Sequence, residues 1–118
     1  MSFGSENVRA SWESDKVSEP IRILLRNLGV KFNGIIVTCL DRDKAHNQNV
    51  GGKSGSKHVP ENNPSGKCEA GDFLLQDHQI KPEEILAYCE DHIKEIYVEY
   101  HDVGSGLHFH LDCRPPKG

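Results

Sequence analysis

Apolar residues recur at helical spacing in two stretches of the chain. The first opens with Ser18-Glu19-Pro20, which supplies a cap, an early acid and an early proline, and the second opens with Lys81-Pro82-Glu83-Glu84. Gly29 is placed to end the first helix. The apolar faces are Ile21, Leu24, Leu25 and Leu28 in the first stretch, and Ile85, Leu86, Cys89 and Ile93 in the second. The pattern predicts two main amphipathic helices.

Other apolar runs have the composition and period of strands. Residues 34–40 are β-branched and almost wholly apolar, which is typical of a buried strand, and residues 69–75 contain a short strand candidate. Residues 96–100 and 107–113 predict a hairpin joined by the turn at 103–106. The predicted fold class is α+β, with a small antiparallel sheet and two main helices.

The length of 118 residues predicts one folded domain, which we expect to be monomeric. Residues 1–17 are polar and carry Gly, Ser and charge, so we predict a flexible N-terminal arm, followed by a single domain over residues 18–118. Residues 41–68 are rich in Gly, Asn, Ser, Lys and Pro. A structureless stretch of that length inside a small domain tends to be functional.

Charge and composition narrow the classes of partner. The net charge is −4, and the basic residues are scattered, so we expect no nucleic-acid binding. No apolar run approaches the length of a membrane span, and the first residues do not form a secretory signal. Synthesis in the cytoplasm is the expectation. The four cysteines form no CxxC pair, which argues against a four-thiolate zinc site.

The last predicted strand alternates, with Leu107, Phe109 and Leu111 on one side and His108, His110 and Asp112 on the other. Residues two apart share a face, so the three polar side chains can converge on one metal ion. The alternative is that they mark the solvent side of an amphipathic strand.

Two further residues favour the metal. His58 follows a glycine-rich run, and Asp72 lies at the mouth of a predicted strand. Two imidazoles and a carboxylate suit zinc and leave it with a net positive charge, so that it can acidify a bound water.

Several ordered motifs resemble a zinc family of D-alanyl-D-alanine carboxypeptidases and L-alanyl-D-glutamate peptidases, which share a fold with the hedgehog signalling domain. The resemblance covers roughly residues 36–114. Its motifs are Thr38-Cys39-Leu40-Asp41-Arg42, then Asn47-Gln48-Asn49-Val50-Gly51-Gly52 leading to Ser56-Lys57-His58, then Ala70-Gly71-Asp72, and finally His110-Leu111-Asp112-Cys113-Arg114.

The resemblance implies one zinc ion per chain, with His58, Asp72 and His110 as ligands. It implies that Arg42 binds a substrate carboxylate or carbonyl, with Ser56 supporting the same region. Asp112 and Arg114 would lie behind the ligands, where Asp112 could orient an imidazole. The alternatives are an ordinary surface salt bridge for Arg42 and a structural ion pair between Asp112 and Arg114.

The implied activity is a metallopeptidase that hydrolyses peptide bonds of peptidoglycan stem peptides with zinc-activated water. It would be a D,D-carboxypeptidase or an L-Ala-D-Glu endopeptidase. Without a secretory signal, such a cell-wall hydrolase would be an endolysin-like phage product or an intracellular recycling enzyme. The runner-up is a catalytically silent binding module that zinc stabilises. A weaker third hypothesis is a metal-free structural piece of the same fold.

The chain departs from the family in two places. Thirteen residues, 59–71, separate the first ligand from Asp72, where the family usually has six. Many members also carry an acid three residues before the last ligand, and that position is Leu107 here. Candidates for the general base are Asp102 first, then His101 and Glu99, with His108 as a base or a transition-state donor.

Overall fold

The computed structural model describes residues 1–49, 51, 54–92, 96–102 and 107–113, and for residues 91, 92, 101, 102 and 107 it describes the backbone alone. The regular elements in chain order are β1 (Ser2–Phe3), α1 (Glu6–Glu13), α2 (Glu19–Lys31), β2 (Ile35–Cys39), α3 (Lys44–Asn49), a 3-10 turn (Pro60–Asn62), β3 (Ala70–Leu75), α4 (Pro82–His92), β4 (Ile96–Asp102) and β5 (Leu107–Cys113).

The strands form one five-stranded sheet in the order β1-β2-β3-β5-β4. The β2–β3, β3–β5 and β5–β4 pairs are antiparallel, and the β1–β2 pair is parallel. The predicted α+β class is therefore confirmed. Within the described residues, no helix has both the length and the apolar character that crossing a membrane requires.

One face of the sheet carries the hydrophobic core. Phe73 on β3 stacks on Phe109 of β5, with ring centroids 5.0 Å apart. Helix α2 covers this face with four side chains that are almost wholly buried, and burial of each such side chain is worth about 1.5–3 kcal/mol. They are Ile21, Leu24, Leu25 and Leu28. The apolar residues at helical spacing therefore form the side of α2 that packs on the core. The opposite face of the sheet carries polar residues.

The first seventeen residues differ from the predicted flexible arm. Strand β1 adds to the edge of the sheet beside β2, and helix α1 follows it. The rings of Phe3 and Trp12 lie 6.0 Å apart, and buried Arg22 donates hydrogen bonds to the carbonyls of Trp12, Ser14 and Val17. The polar composition of this segment did not indicate its secondary structure, because the segment is held by a contact between two aromatic rings and by one arginine from a later helix.

The helix end predicted at Gly29 is wrong. Helix α2 continues to Lys31, and the left-handed residues that reverse the chain are Asn33 (φ 61°) and Gly34 (φ 105°). A Cβ at Gly29 would meet its nearest neighbours at 3.8–3.9 Å, which is ordinary contact. Gly34 is the position at which only glycine avoids strain.

Two glycine substitutions are therefore expected to have opposite effects on stability. Gly29→Ala should raise the free energy of unfolding by roughly 0.5–1 kcal/mol, because it removes backbone entropy from the unfolded chain. Gly34→Ala should lower it by about 1–3 kcal/mol, since alanine is strained at that φ. Urea unfolding measures both, with Gly55→Ala as the control, because a Cβ at Gly55 has no neighbour within 4 Å. A loss of stability in Gly29→Ala would show that the helix ends where the sequence suggested.

Candidate metal centre

Four strands contribute to one row of side chains on the face of the sheet opposite the core. The register pairs Cys39 on β2 with Asp72 on β3, Asp72 with His110 on β5, and His110 with Glu99 on β4. Residues directly opposite each other in antiparallel strands share a face. The sheet therefore brings together four groups that are up to 71 positions apart in the sequence, from 39 to 110.

The polar side of β5 is not its solvent side, so the alternative interpretation of the alternation is wrong. Asp112 is 1% exposed and His108 is 9% exposed, and His110 is half-buried. Buried polar groups of this kind persist only when they are paired. Their partners identify the centre of the site.

The Asp72 carboxylate is that centre. His110 Nδ1 lies 2.7 Å and His58 Nε2 lies 3.3 Å from the same oxygen, Oδ1. Around the second oxygen, Oδ2, lie Arg42 Nη2 at 3.7 Å and His108 Nε2 at 3.8 Å. The imidazole rings of His58 and His110 are 5.3 Å apart between centroids. The three residues predicted as metal ligands therefore meet at one point.

The second nitrogen of each imidazole has a fixed acceptor. His58 Nδ1 lies 2.6 Å from the carbonyl oxygen of Leu40, and His110 Nε2 lies 2.7 Å from Asp112 Oδ2. A ring nitrogen that donates to such an acceptor leaves the other nitrogen directed at Asp72. An outer carbonyl or carboxylate that sets the orientation of the ring is the usual arrangement around metal-binding histidine. Asp112 occupies the position predicted for it behind His110.

The electrostatics follow from this packing. Burial alone would lower the pKa of His58, but hydrogen bonds with Asp72 and Cys39 outweigh it and raise the pKa well above 6.5. Burial opposes protonation of His110 in the same way, and hydrogen bonds with Asp112 and Asp72 raise its pKa above 6.5. Burial favours the neutral form of Asp72, yet its two histidine partners lower its pKa far below the usual range. The site holds a carboxylate that attracts positive charge, and a metal ion can take the place of the protons.

A thiol completes a cluster that the sequence did not predict. One donor atom from each of Cys39, His58 and Asp72 lies within 4.8 Å of the other two. This cluster can hold a metal ion. The four cysteines are unpaired thiols, so Cys39 is available as a donor.

Arg42 is anchored within the site and is not a surface salt bridge. Its Nε donates to Cys39 Sγ at 3.1 Å, its Nη1 donates to Asn47 Oδ1 at 3.2 Å, and its side chain is 18% exposed. Asn47 is itself buried. With the contact to Asp72, three groups fix the plane of the guanidinium.

The long segment before Asp72 is tied down locally and positions His58. Asn63 donates from one amide nitrogen to the carbonyls of Lys57 and Lys67, at 2.8 and 2.7 Å. Its amide thereby closes the additional residues into a loop of their own. Ser56 Oγ accepts a hydrogen bond from the backbone N–H of His58 at 3.3 Å, which is a local turn contact. Lengthening a closed surface loop costs little, so the insertion does not displace the site.

The candidates for the general base are placed unevenly. His108 lies beside Asp72, and Glu99 lies in the row next to His110, where it accepts a hydrogen bond from Tyr97 Oη at 2.6 Å. The backbone register pairs His101 with His108 and Asp102 with Leu107. The side chains of His101 and Asp102 and the whole of Arg114 lie outside the described part of the structure.

Sequence reasoning missed the thiol of Cys39 and the amide of Asn47. Both belong to the motifs described above, but nothing in the spacing of Cys39 shows that it faces Asp72. The signal for Asn47 was its place five residues after Arg42, at the spacing of a short helix that returns beside it.

Comparisons with protein-family models, with curated proteins and with solved structures found no match to this chain.

Proposed function

We propose that this chain is a zinc-dependent peptidase of the D-alanyl-D-alanine carboxypeptidase and L-alanyl-D-glutamate peptidase type. The observation that carries the proposal is the meeting of His58 Nε2 and His110 Nδ1 at one oxygen of Asp72, with the other nitrogen of each ring held by a fixed acceptor. Ordered motifs over residues 36–114 also resemble those of that family and support the proposal.

The donor set suits zinc better than a hard cation such as magnesium or calcium. Two imidazole nitrogens and a carboxylate oxygen are common zinc ligands, and the neighbouring thiol of Cys39 adds a soft donor that hard cations avoid. His58, Asp72 and His110 would hold the ion. Zinc in such a set acidifies water and polarises a carbonyl, which is the chemistry that peptide hydrolysis requires.

The other residues of the site bind and orient a peptide in this proposal. Arg42 presents a fixed guanidinium at the edge of the row and would take a substrate carboxylate or carbonyl in a bidentate contact. His108 and Glu99 are the described candidates for moving a proton, because both lie on the Asp72 face. Stem peptides of peptidoglycan, which mix D and L residues, are the proposed substrates.

The decisive experiment is hydrolysis by zinc-loaded protein. Purified cell walls and short peptides ending in D-Ala-D-Ala or containing L-Ala-D-Glu are incubated with the wild type, and released fragments are identified by mass spectrometry. His110→Ala should abolish release, whereas His78→Asn, a change at an exposed histidine, should leave it intact. Zinc-loaded wild type that releases nothing from any of these substrates would count decisively against the proposal.

Substitution of the guanidinium tests the predicted substrate contact. Arg42→Lys keeps the charge but loses the planar fork held by Cys39 and Asn47. We expect KM to rise on the order of 10-fold, with a smaller change in kcat, because the contact is present in both ground and transition states. Steady-state kinetics give both constants, and Arg9→Lys on the exposed face of α1 is the control. An unchanged KM would remove Arg42 from substrate binding.

A second candidate function is a zinc-stabilised binding module without catalysis. Leu107 stands where the family usually has an acid, and Cys39 offers an extra donor beside His58 and Asp72. Closed sets of four protein donors are typical of structural zinc. Single substitutions of Asp102, His101, Glu99 and His108 separate the two functions. In a peptidase, at least one of them should lower kcat. In a binding module, all four variants should bind zinc as tightly as the wild type.

A further inference from the structure

A register shift between β2 and β3 places the side chain of Cys39 on the face of the sheet that carries Asp72. The β2–β3 ladder runs in step through Val37 and Phe73, but the next pair joins Cys39 to Asp72, so the register shifts by one residue. In an unbroken ladder Thr38 would oppose Asp72, and Cys39 would be on the core face. Thr38 instead is exposed. Bulges of this kind are frequent beside functional sites, where they redirect one side chain.

The redirected thiol contacts the side chains of Arg42 and His58. Arg42 Nε donates to Cys39 Sγ at 3.1 Å, and His58 Nδ1 lies 3.7 Å away. The side chain is partly buried, and its sulfur is one of the three donor atoms that lie within 4.8 Å of one another. A guanidinium N–H that donates to sulfur is compatible with ligation, because a metal-bound thiolate retains lone pairs that accept hydrogen bonds.

We propose that Cys39 is a fourth protein donor to the metal ion, together with His58, Asp72 and His110. The inference rests on the metal site of the proposed function, and it assigns to that site a sulfur ligand that the family resemblance does not supply. Cys39 would bind as the thiolate, with its proton released to solvent. A soft donor should increase the preference for zinc, cobalt and cadmium over magnesium and calcium.

A sulfur donor also changes what the site does with its remaining position. Three protein donors leave room for water, whereas four close a tetrahedral site. Cys39 would then compete with water for the fourth position on the ion. It would strengthen metal binding and also limit the access of water and substrate to the ion.

Cobalt(II) titration of the metal-free protein tests the assignment directly. Wild type should bind cobalt with an intense sulfur-to-metal charge-transfer band in the near ultraviolet, Cys39→Ser should lack that band, and Cys113→Ser should keep it. Affinity for zinc, measured by competition with a chelating dye, should fall on the order of 100-fold in Cys39→Ser, at the upper end of the loss that an outer partner causes. Thermal melting of the metal-free variants confirms that they fold.

Alkylation of the wild type provides a second readout that needs no variant. Burial raises the pKa of Cys89 to about 11, and burial together with nearby Glu69 raises the pKa of Cys113 to about 11. Cys68 is buried and inaccessible to the reagent. Iodoacetamide at pH 8 should therefore label Cys39 fastest. Bound zinc should slow labelling of Cys39, as located by peptide mapping. Cobalt bound without the charge-transfer band, or labelling of Cys39 unchanged by zinc, overturns the assignment of Cys39 and leaves the metal site standing. Absence of any cobalt binding overturns both.

Discussion

Replacement of Asp72 by Asn is expected to abolish metal binding and peptide hydrolysis together. The substitution removes the one carboxylate at which His58 and His110 meet, so the two imidazoles lose the anion that attracts a cation to them. We expect zinc affinity to fall by at least about 100-fold, more than the loss of an outer partner causes. Metal content after dialysis against a defined zinc concentration measures the effect.

The same substitution should destabilise the metal-free protein by roughly 2–3 kcal/mol at neutral pH, because the side chains of Arg42, His58 and His110 lose the buried carboxylate that they contact. Urea unfolding in the presence of a chelator measures this change. The matched control is Asp15→Asn at an exposed position, which should alter neither metal content nor stability. Zinc bound at full stoichiometry by Asp72→Asn would contradict the proposed centre.

The affinity for zinc should fall steeply with decreasing pH, and the decline should begin above pH 6.5. The pKa values of His58 and His110 are both raised above 6.5 in the metal-free protein, so both rings are protonated at a higher pH than ordinary histidine. Zinc must displace both protons. Because each displaced proton contributes a factor of ten, the two imidazole protons alone should change the dissociation constant by about 100-fold per pH unit, and a proton released from Cys39 would steepen this slope.

Stability of the metal-free protein should show the opposite trend. Groups with raised pKa values contribute stability that is complete below pH 6.5 and is lost as the pH rises through the folded pKa. The free energy of unfolding should therefore decrease from pH 6 to pH 8 in the presence of a chelator. Asp72 does not alter this window, since its pKa is lowered and its contribution is lost only in strong acid.

Two measurements check the pH dependence. Chelator competition between pH 6 and pH 8 gives the slope of affinity, and urea unfolding over the same range gives the stability of the metal-free form. His110→Asn should reduce the slope by one proton or prevent binding, whereas His78→Asn, at an exposed position, should leave it unchanged. A constant affinity for zinc across this range would argue against ligation by imidazole.

Local patterns predicted the parts of the fold that depend on near neighbours. The helical spacing from Ile21 to Leu28 became the core face of α2, and the alternation in β5 directed Phe109 and Leu111 into the core. The end of α2 was misplaced because a glycine in a helix and a glycine after it look alike in sequence, and φ distinguishes them. Order at the N-terminus was missed because it depends on β2 and Arg22.

By itself the sequence determined which residue types were available for a metal centre, and in which order: His58, Asp72 and His110, with Arg42 ahead of them and Asp112 behind. Motif order could propose that these residues meet. Only the tertiary structure decided that His58 and His110 meet at one carboxylate oxygen of Asp72, because the β3–β5 register places His110 directly opposite Asp72. It also decided that Cys39 lies beside His58 and Asp72, since a one-residue shift in the β2–β3 ladder turns that side chain from the core to the site, and such a shift leaves no trace in local composition.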